Sequence, residues 1–126
     1  MPKTVPALPG IAPSTLPFSK VVEANGRVFL AGQVGNAPGS NEPVPGGIGA
    51  ETAATIENIR LLLDAVGLGL GDVVKATVYL TDFDEFDAMN AVYRRHFPTE
   101  PPTRATVGVT RLALDYRVEI EVIAAR

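Results

Sequence analysis

The sequence predicts an α+β domain in the order β-β-α-β-α-β-β, with two helices packed on one face of a single sheet. Three observations predict it. A chain of 126 residues fits one domain, residues 1–126. Eight of its 11 prolines lie in the first 45 residues and the others at 98, 101 and 102. Proline breaks helices and central strands, so the proline-free stretch 46–97 should hold most of the regular structure. Within and after that stretch, apolar residues recur alternately at helical and at two-residue spacing.

The elements follow in order. Residues 1–17 carry a proline every three or four positions and predict an extended arm. The arm has no unbroken apolar run of the kind a secretory signal needs, and no stretch approaches a membrane span, so the chain reads as soluble and cytoplasmic. Lys20–Ala24 and Arg27–Val34 flank Asn25-Gly26, a dipeptide that favours a type I′ turn, and form a hairpin. Residues 35–49, rich in Gly, Pro and Asn, form a loop. Ala50–Val66 places Ala53, Ile56, Ile59, Leu62, Leu63 and Val66 at helical spacing, and Gly67 stops the helix. Val73–Leu80 is a β-branched strand. Asp82 stands three residues before Glu85, a helix start, after which Phe86, Met89, Tyr93 and Phe97 line one face until Pro98. Ala105–Leu112 and Val118–Ala124 complete the sheet.

Alternate side chains of a strand face opposite sides, so parity assigns each residue a face. The face under the helices should collect Val28, Leu30, Val74, Ala76, Val78, Leu80, Ala105, Val107, Val109, Val118, Ile120 and Val122. The second should collect Phe29, Ala31, Gln33, Val73, Thr77, Tyr79, Thr106, Gly108, Thr110 and Ile123. Such small, uncharged residues are unusual on a sheet face open to water, and no third helix exists to cover them. A symmetric homo-oligomer is the expected cover.

Composition removes whole classes of function. Eleven basic against 14 acidic side chains give a net charge of −3 and a pI near 5.1, against nucleic acid or membrane lipid as a partner. The absence of cysteine removes disulfides, thiolate catalysis and cysteine metal sites, and a single histidine, His96, removes a His-rich metal site. No metal and no cofactor is expected. Gly67-Leu68-Gly69-Leu70-Gly71 runs from helix into strand, the reverse of a dinucleotide loop, and reads as a helix stop. Gly46-Gly47-Ile48-Gly49 precedes a helix without the complete motif and reads as a flexible loop. His96 with Arg94 and Arg95 complements the second helix's C-terminal dipole, and Asp82, Asp84, Glu85 and Asp87 its N-terminal one.

Arg104 and Glu121 stand apart. By parity both fall on the second face among small residues. An arginine fork can hold a carboxylate bidentately, and a carboxylate in a small recess can position and partly deprotonate water. On the residues alone the plainer account of them is an inter-subunit salt bridge or two solvated charges, and Arg111, Arg117 and Glu119 are just as eligible.

At these positions the sequence resembles the RidA/YjgF reactive-intermediate deaminases. The resemblance rests on Pro102-Thr103-Arg104-Ala105, then Val107, Leu112 and Val118-Glu119-Ile120-Glu121. Ala31-Gly32-Gln33-Val34, the run Gly71–Leu80 and Met89-Asn90-Ala91-Val92-Tyr93 resemble further shared stretches, so that the likeness covers about Pro17 to Arg126. It implies a chorismate-mutase-like fold with one mixed sheet, and a homotrimer with active sites between subunits. The implied reaction is cofactor-free hydrolysis of a 2-imino acid, or its enamine tautomer, to a 2-oxo acid and ammonia. Arg104 matches the arginine that grips the substrate carboxylate and Glu121 the glutamate that orients water. The backbone N–H of Thr106 and the carbonyl of Gly32 fall where the carboxylate and imine nitrogen are contacted. Asn90 matches another recurrent residue.

The chain departs from the pattern where Phe18 replaces a common Tyr, Ala31 a common Ser and Thr106 a common Cys. The position of Thr110 usually holds a smaller or a basic residue. A hydrogen bond to a charged group contributes about 1.5–3 kcal/mol, so loss of the tyrosine hydroxyl alone would weaken carboxylate binding. These departures leave room for a larger or more apolar imino acid. They also support an alternative, a non-catalytic metabolite-binding or regulatory trimer using the same cleft. RNA cleavage, a property of some relatives, is opposed by the acidic pI and the lack of a basic, aromatic-interleaved patch.

Overall fold

The computed structural model describes residues 2–126; Met1, the first residue of the predicted arm, lies outside the described residues. Asn25 and Gly26 both adopt left-handed backbone, φ 54° and 72°, and close the hairpin of β1 (Val21–Ala24) and β2 (Arg27–Leu30). The strand predicted to run on to Val34 breaks at Ala31-Gly32 and resumes as the short β3 (Gln33–Val34). A loop leads to α1 (Ile48–Ala65), which ends at Gly67, φ 80°, whose N–H donates to the Asp64 carbonyl at 3.0 Å. β4 (Val73–Leu80) follows. The Asp82 carboxylate then accepts the Asp84 N–H at 3.0 Å and starts a 3-10 turn that continues into α2 (Phe86–His96). His96 Nδ1 lies 3.0 Å from the Val92 carbonyl in the last turn. β5 (Thr103–Gly108) and β6 (Val118–Ala125) complete a mixed six-stranded sheet in the order β1-β2-β6-β4-β5, with β3 also on β6. β4 and β5 run parallel and the other pairs antiparallel.

Both helices pack on one face. Ile56, Ile59 and Leu63 of α1 and Met89 of α2 are fully buried against Val28, Ala76, Val78, Leu80, Val118 and Ile120. Each large side chain among them contributes about 1.5–3 kcal/mol relative to exposure. Thr4 exchanges two backbone hydrogen bonds of 2.8 Å with Glu23, so the arm lies along the outer edge of β1.

Three assignments by parity are corrected, the first being Gln33, which after the break at Ala31-Gly32 pairs with Ile120 and so lies on the helix side rather than on the second face. A register shift between Val73 and Lys75 buries Val73 and leaves Val74 48% exposed. β5 starts at Thr103, and its register with β4 pairs Ala76 with Arg104 and Val78 with Thr106. Arg104, Thr106 and Gly108 therefore share the helix side with Ala76, Val78 and Leu80. Ala105 and Val107 face outward, Val107 at 40% exposure. The open face thus carries Phe29, Thr77, Tyr79, Ala105, Val107, Glu119, Glu121 and Ile123.

Candidate functional site

Three separate recesses divide the residues singled out in the sequence. The first, of about 340 Å³, lies where α2 meets the outer edge of β5 and is lined by Asn90, Tyr93, Pro102 and Arg104 among others. Pro101 and Pro102 lead into β5 and limit its backbone freedom two residues before Arg104. The Arg104 guanidinium carbon stands 4.7 Å from the Tyr93 ring centroid and 5.7 Å from that of Phe86. Cation–π contacts hold the fork without using its N–H donors. No carboxylate pairs with Arg104 among the described residues. Tyr93, buried between α2 and the sheet, has its pKa raised by that burial. The first recess is thus a fixed cationic fork awaiting a planar anion.

The second recess, of about 750 Å³, brings together Phe18, Ala31 and Gly32 with Glu119. The pairing of Val34 with Glu119 across β3 and β6 puts the carboxylate beside Gly32. A Cβ on Gly32 would fall 2.3 Å from Glu119 Oε2, so glycine is required for the carboxylate to lie there. Three other polar side chains of the wall make hydrogen bonds within the chain, while those of Ser19 and Asn41 make none among the described residues. Lys20 Nζ donates to the Ala12 carbonyl at 2.6 Å, Asn36 Nδ2 to the Ser40 carbonyl at 2.9 Å, and Gln33 Nε2 to the Ala31 carbonyl at 3.1 Å. Glu119 is half-buried, and burial first, then the neighbouring Glu121 charge, pushes its pKa up.

The start of β6 is fixed from behind. Glu51 of α1, 3% exposed, accepts the backbone N–H of Arg117 at 2.9 Å, and Arg117 also pairs with Glu85 at 3.0 Å. Burial raises the Glu51 pKa, opposed by that N–H.

Glu121 is not with the others. It lines a third recess, of about 270 Å³, with Phe29, Lys75 and Thr77, and its Oε1 accepts the Tyr79 hydroxyl at 2.6 Å. The expectation that Arg104 and Glu121 share one face is corrected: Arg104 lies on the helix side at the sheet edge, whereas both glutamates lie on the open side. Thr106 sits in the row of Arg104, and Asn90 lines the Arg104 recess. The residue that sequence reasoning passed over in favour of Glu121 is Glu119. Both glutamates have the same parity, and only the long-range pairing of β3 with β6 separates them.

Comparison with known proteins places the whole chain. A family model described as Endoribonuclease L-PSP matches residues 10–126. A RutC family protein of Pyrococcus horikoshii is 43% identical over 108 residues, 86% of each chain. A 2-iminobutanoate/2-iminopropanoate deaminase of Capra hircus is 40% identical over 116 residues, 91% of this chain and 85% of that one. The crystal structure of yeast Mmf1 superposes with a TM-score of 0.90 at 33% identity, covering 99% of both chains.

Proposed function

This chain belongs to the Endoribonuclease L-PSP family, the RidA/YjgF proteins, and from that premise we propose that it hydrolyses 2-imino acids to 2-oxo acids and ammonia. The observation that carries the reading is a pair of held, unpartnered charges. Arg104 is pinned across two rings, and Glu119 is half-buried beside Gly32 with no hydrogen-bond donor among the described residues. The general deaminase role is supported by the relative of that name.

Chemistry follows from the two groups. The Arg104 fork holds the substrate carboxylate bidentately and fixes the adjacent C=N carbon. Glu119 accepts a proton from water as the water oxygen bonds to that carbon and the imine nitrogen takes up a proton from solvent. The resulting carbinolamine collapses when Glu119 returns its proton to nitrogen. The C–N bond breaks, ammonia leaves, and the hydroxyl proton passes to Glu119, which releases it to solvent, giving the 2-oxo acid. A carboxyl with a raised pKa suits both directions of transfer. The Gly32 carbonyl and the Thr106 N–H are the supporting contacts in this reading, for the imine nitrogen and the carboxylate.

Arg104 and Glu119 lie on opposite faces of the sheet in one chain, so the reaction needs the recess of one copy against the fork of another. A homotrimer joined through the open face is the proposed assembly. The test generates 2-iminopropanoate or 2-iminobutanoate in situ with an amino-acid oxidase and follows imine loss. Wild type should outpace buffer, and Arg104→Ala and Glu119→Gln should each lose about a hundredfold or more in kcat/KM. Wild-type decay at the buffer rate, or full activity in Arg104→Ala, would sink the reading. Phe18 and Ala31, which offer no hydroxyl, favour the alternative of a metabolite-binding trimer, whose signature is carboxylate binding without turnover.

A further inference from the structure

Resting on the imino acid reading of the Glu119 recess, we propose that this chain selects 2-imino acids with large apolar side chains and that Leu114 sets the preference. The turn Ala113–Asp115 leads from β5 to β6 along the mouth of that recess. Leu114 and Asp115 are both left-handed, φ 55° and 61°, a backbone state that any Cβ disfavours and that leucine rarely enters. Packing within one chain does not offset this: Leu114 is 64% exposed there and belongs to no core cluster. Neither local conformation nor folding selects a leucine here, and strain kept at the rim of a recess points to a role in what the recess binds.

Leu114 is not alone. Leu16, 64% exposed, and Phe18, 51% exposed, line the same mouth. Lys20 and Asn36 are tied up by backbone carbonyls, and the Tyr116 hydroxyl donates to the Asn41 carbonyl. The mouth therefore offers a substrate three large exposed apolar side chains at its lip, with the Glu119 carboxylate and the Ser19 and Asn41 side chains as its polar groups. The methyl group of an alanine-derived imine would stay close to the reacting carbon and leave that lip in water. A leucine- or phenylalanine-derived imine would extend across it, removing apolar surface of both partners from solvent.

The experiment measures kcat/KM for imines generated in situ from alanine, leucine and phenylalanine, with wild type and Leu114→Gly. Wild type should favour the two large imines by about tenfold or more, and Leu114→Gly should lose about tenfold more on them than on the alanine imine. Glycine accepts the left-handed backbone, so the variant should melt no lower than wild type and keep its assembled mass. A wild type that favours the alanine imine or treats all three alike overturns the proposal while leaving the deaminase reading intact. An equal loss on every substrate, a lower melting temperature or a changed mass would make Leu114 a structural or interface residue and overturn it too. Failure to accelerate any imine removes the function on which the proposal rests.

Discussion

Glu119 and Glu121 are two residues apart on one strand and one face, yet their surroundings divide them. The Tyr79 hydroxyl satisfies Glu121, and that bond pushes the tyrosine's pKa up. Glu119 has no such donor, and its carboxyl is raised first by burial and second by the charge of Glu121. A base must be ionised to accept a proton from water. The acid limb of kcat/KM should therefore fall at the raised pKa of Glu119, above the ordinary glutamate range. Glu121→Gln removes one of the two causes and should move that limb to lower pH, though not to the ordinary value, because burial remains. A pH–rate profile checks this, and a limb that does not move would show that Glu121 does not act on the base. The resemblance alone gave the water-orienting part to Glu121. Parity does not choose between the two, since a two-residue step returns to the same face; the neighbour that sets Glu119 apart, Gly32, lies far away in the sequence.

At the scale of elements, two glycines of the segment around β3 make opposite demands. A Cβ on Gly32 would meet the far end of the flexible Glu119 side chain, which can swing aside. Gly32→Ala should therefore fold normally and lose about a hundredfold in kcat/KM through displacement of the base. A Cβ on Gly35 would come within 2.5 Å of the Glu51 backbone carbonyl and 2.9 Å of its Cα. Helix backbone cannot step back without disturbing the Glu51–Arg117 contact. Gly35→Ala should cost about 1–3 kcal/mol in a denaturant titration. Local signals made most elements legible: Asn25-Gly26 for the hairpin, Gly67 for the end of α1, Pro98 after α2. β5 misled because Ala105, Val107 and Val109 alternate as a core strand would. Apolar alternation records burial against something, and it cannot say whether that is the chain's own helices or a neighbouring copy. Pairing with β4 decides the question, and pairing is not a local property.

At the scale of the molecule, the open face of Phe29, Thr77, Ala105, Val107 and Ile123 and the division of Arg104 from Glu119 have a common reading. A sheet face that carries exposed Phe29 and Val107 and half-buried Ile123 beside its two glutamates and that no helix covers asks for a second copy, and a reaction whose two charges sit on opposite sides of one sheet asks for the same. Among the described residues no helix is long and apolar enough to cross a membrane. The opposite placement also fixes how copies would share their work. In a closed head-to-tail ring each chain lends its arginine to one neighbour and its glutamate to the other, so no site is the property of a single polypeptide. Arg104→Ala and Glu119→Gln chains, each inactive alone, should therefore complement when co-expressed in equal amounts. About a quarter of the sites would draw both intact groups from different chains, and activity of co-purified mixed assemblies reads that fraction directly. Two damaged copies of one gene would then support a function that neither supports by itself.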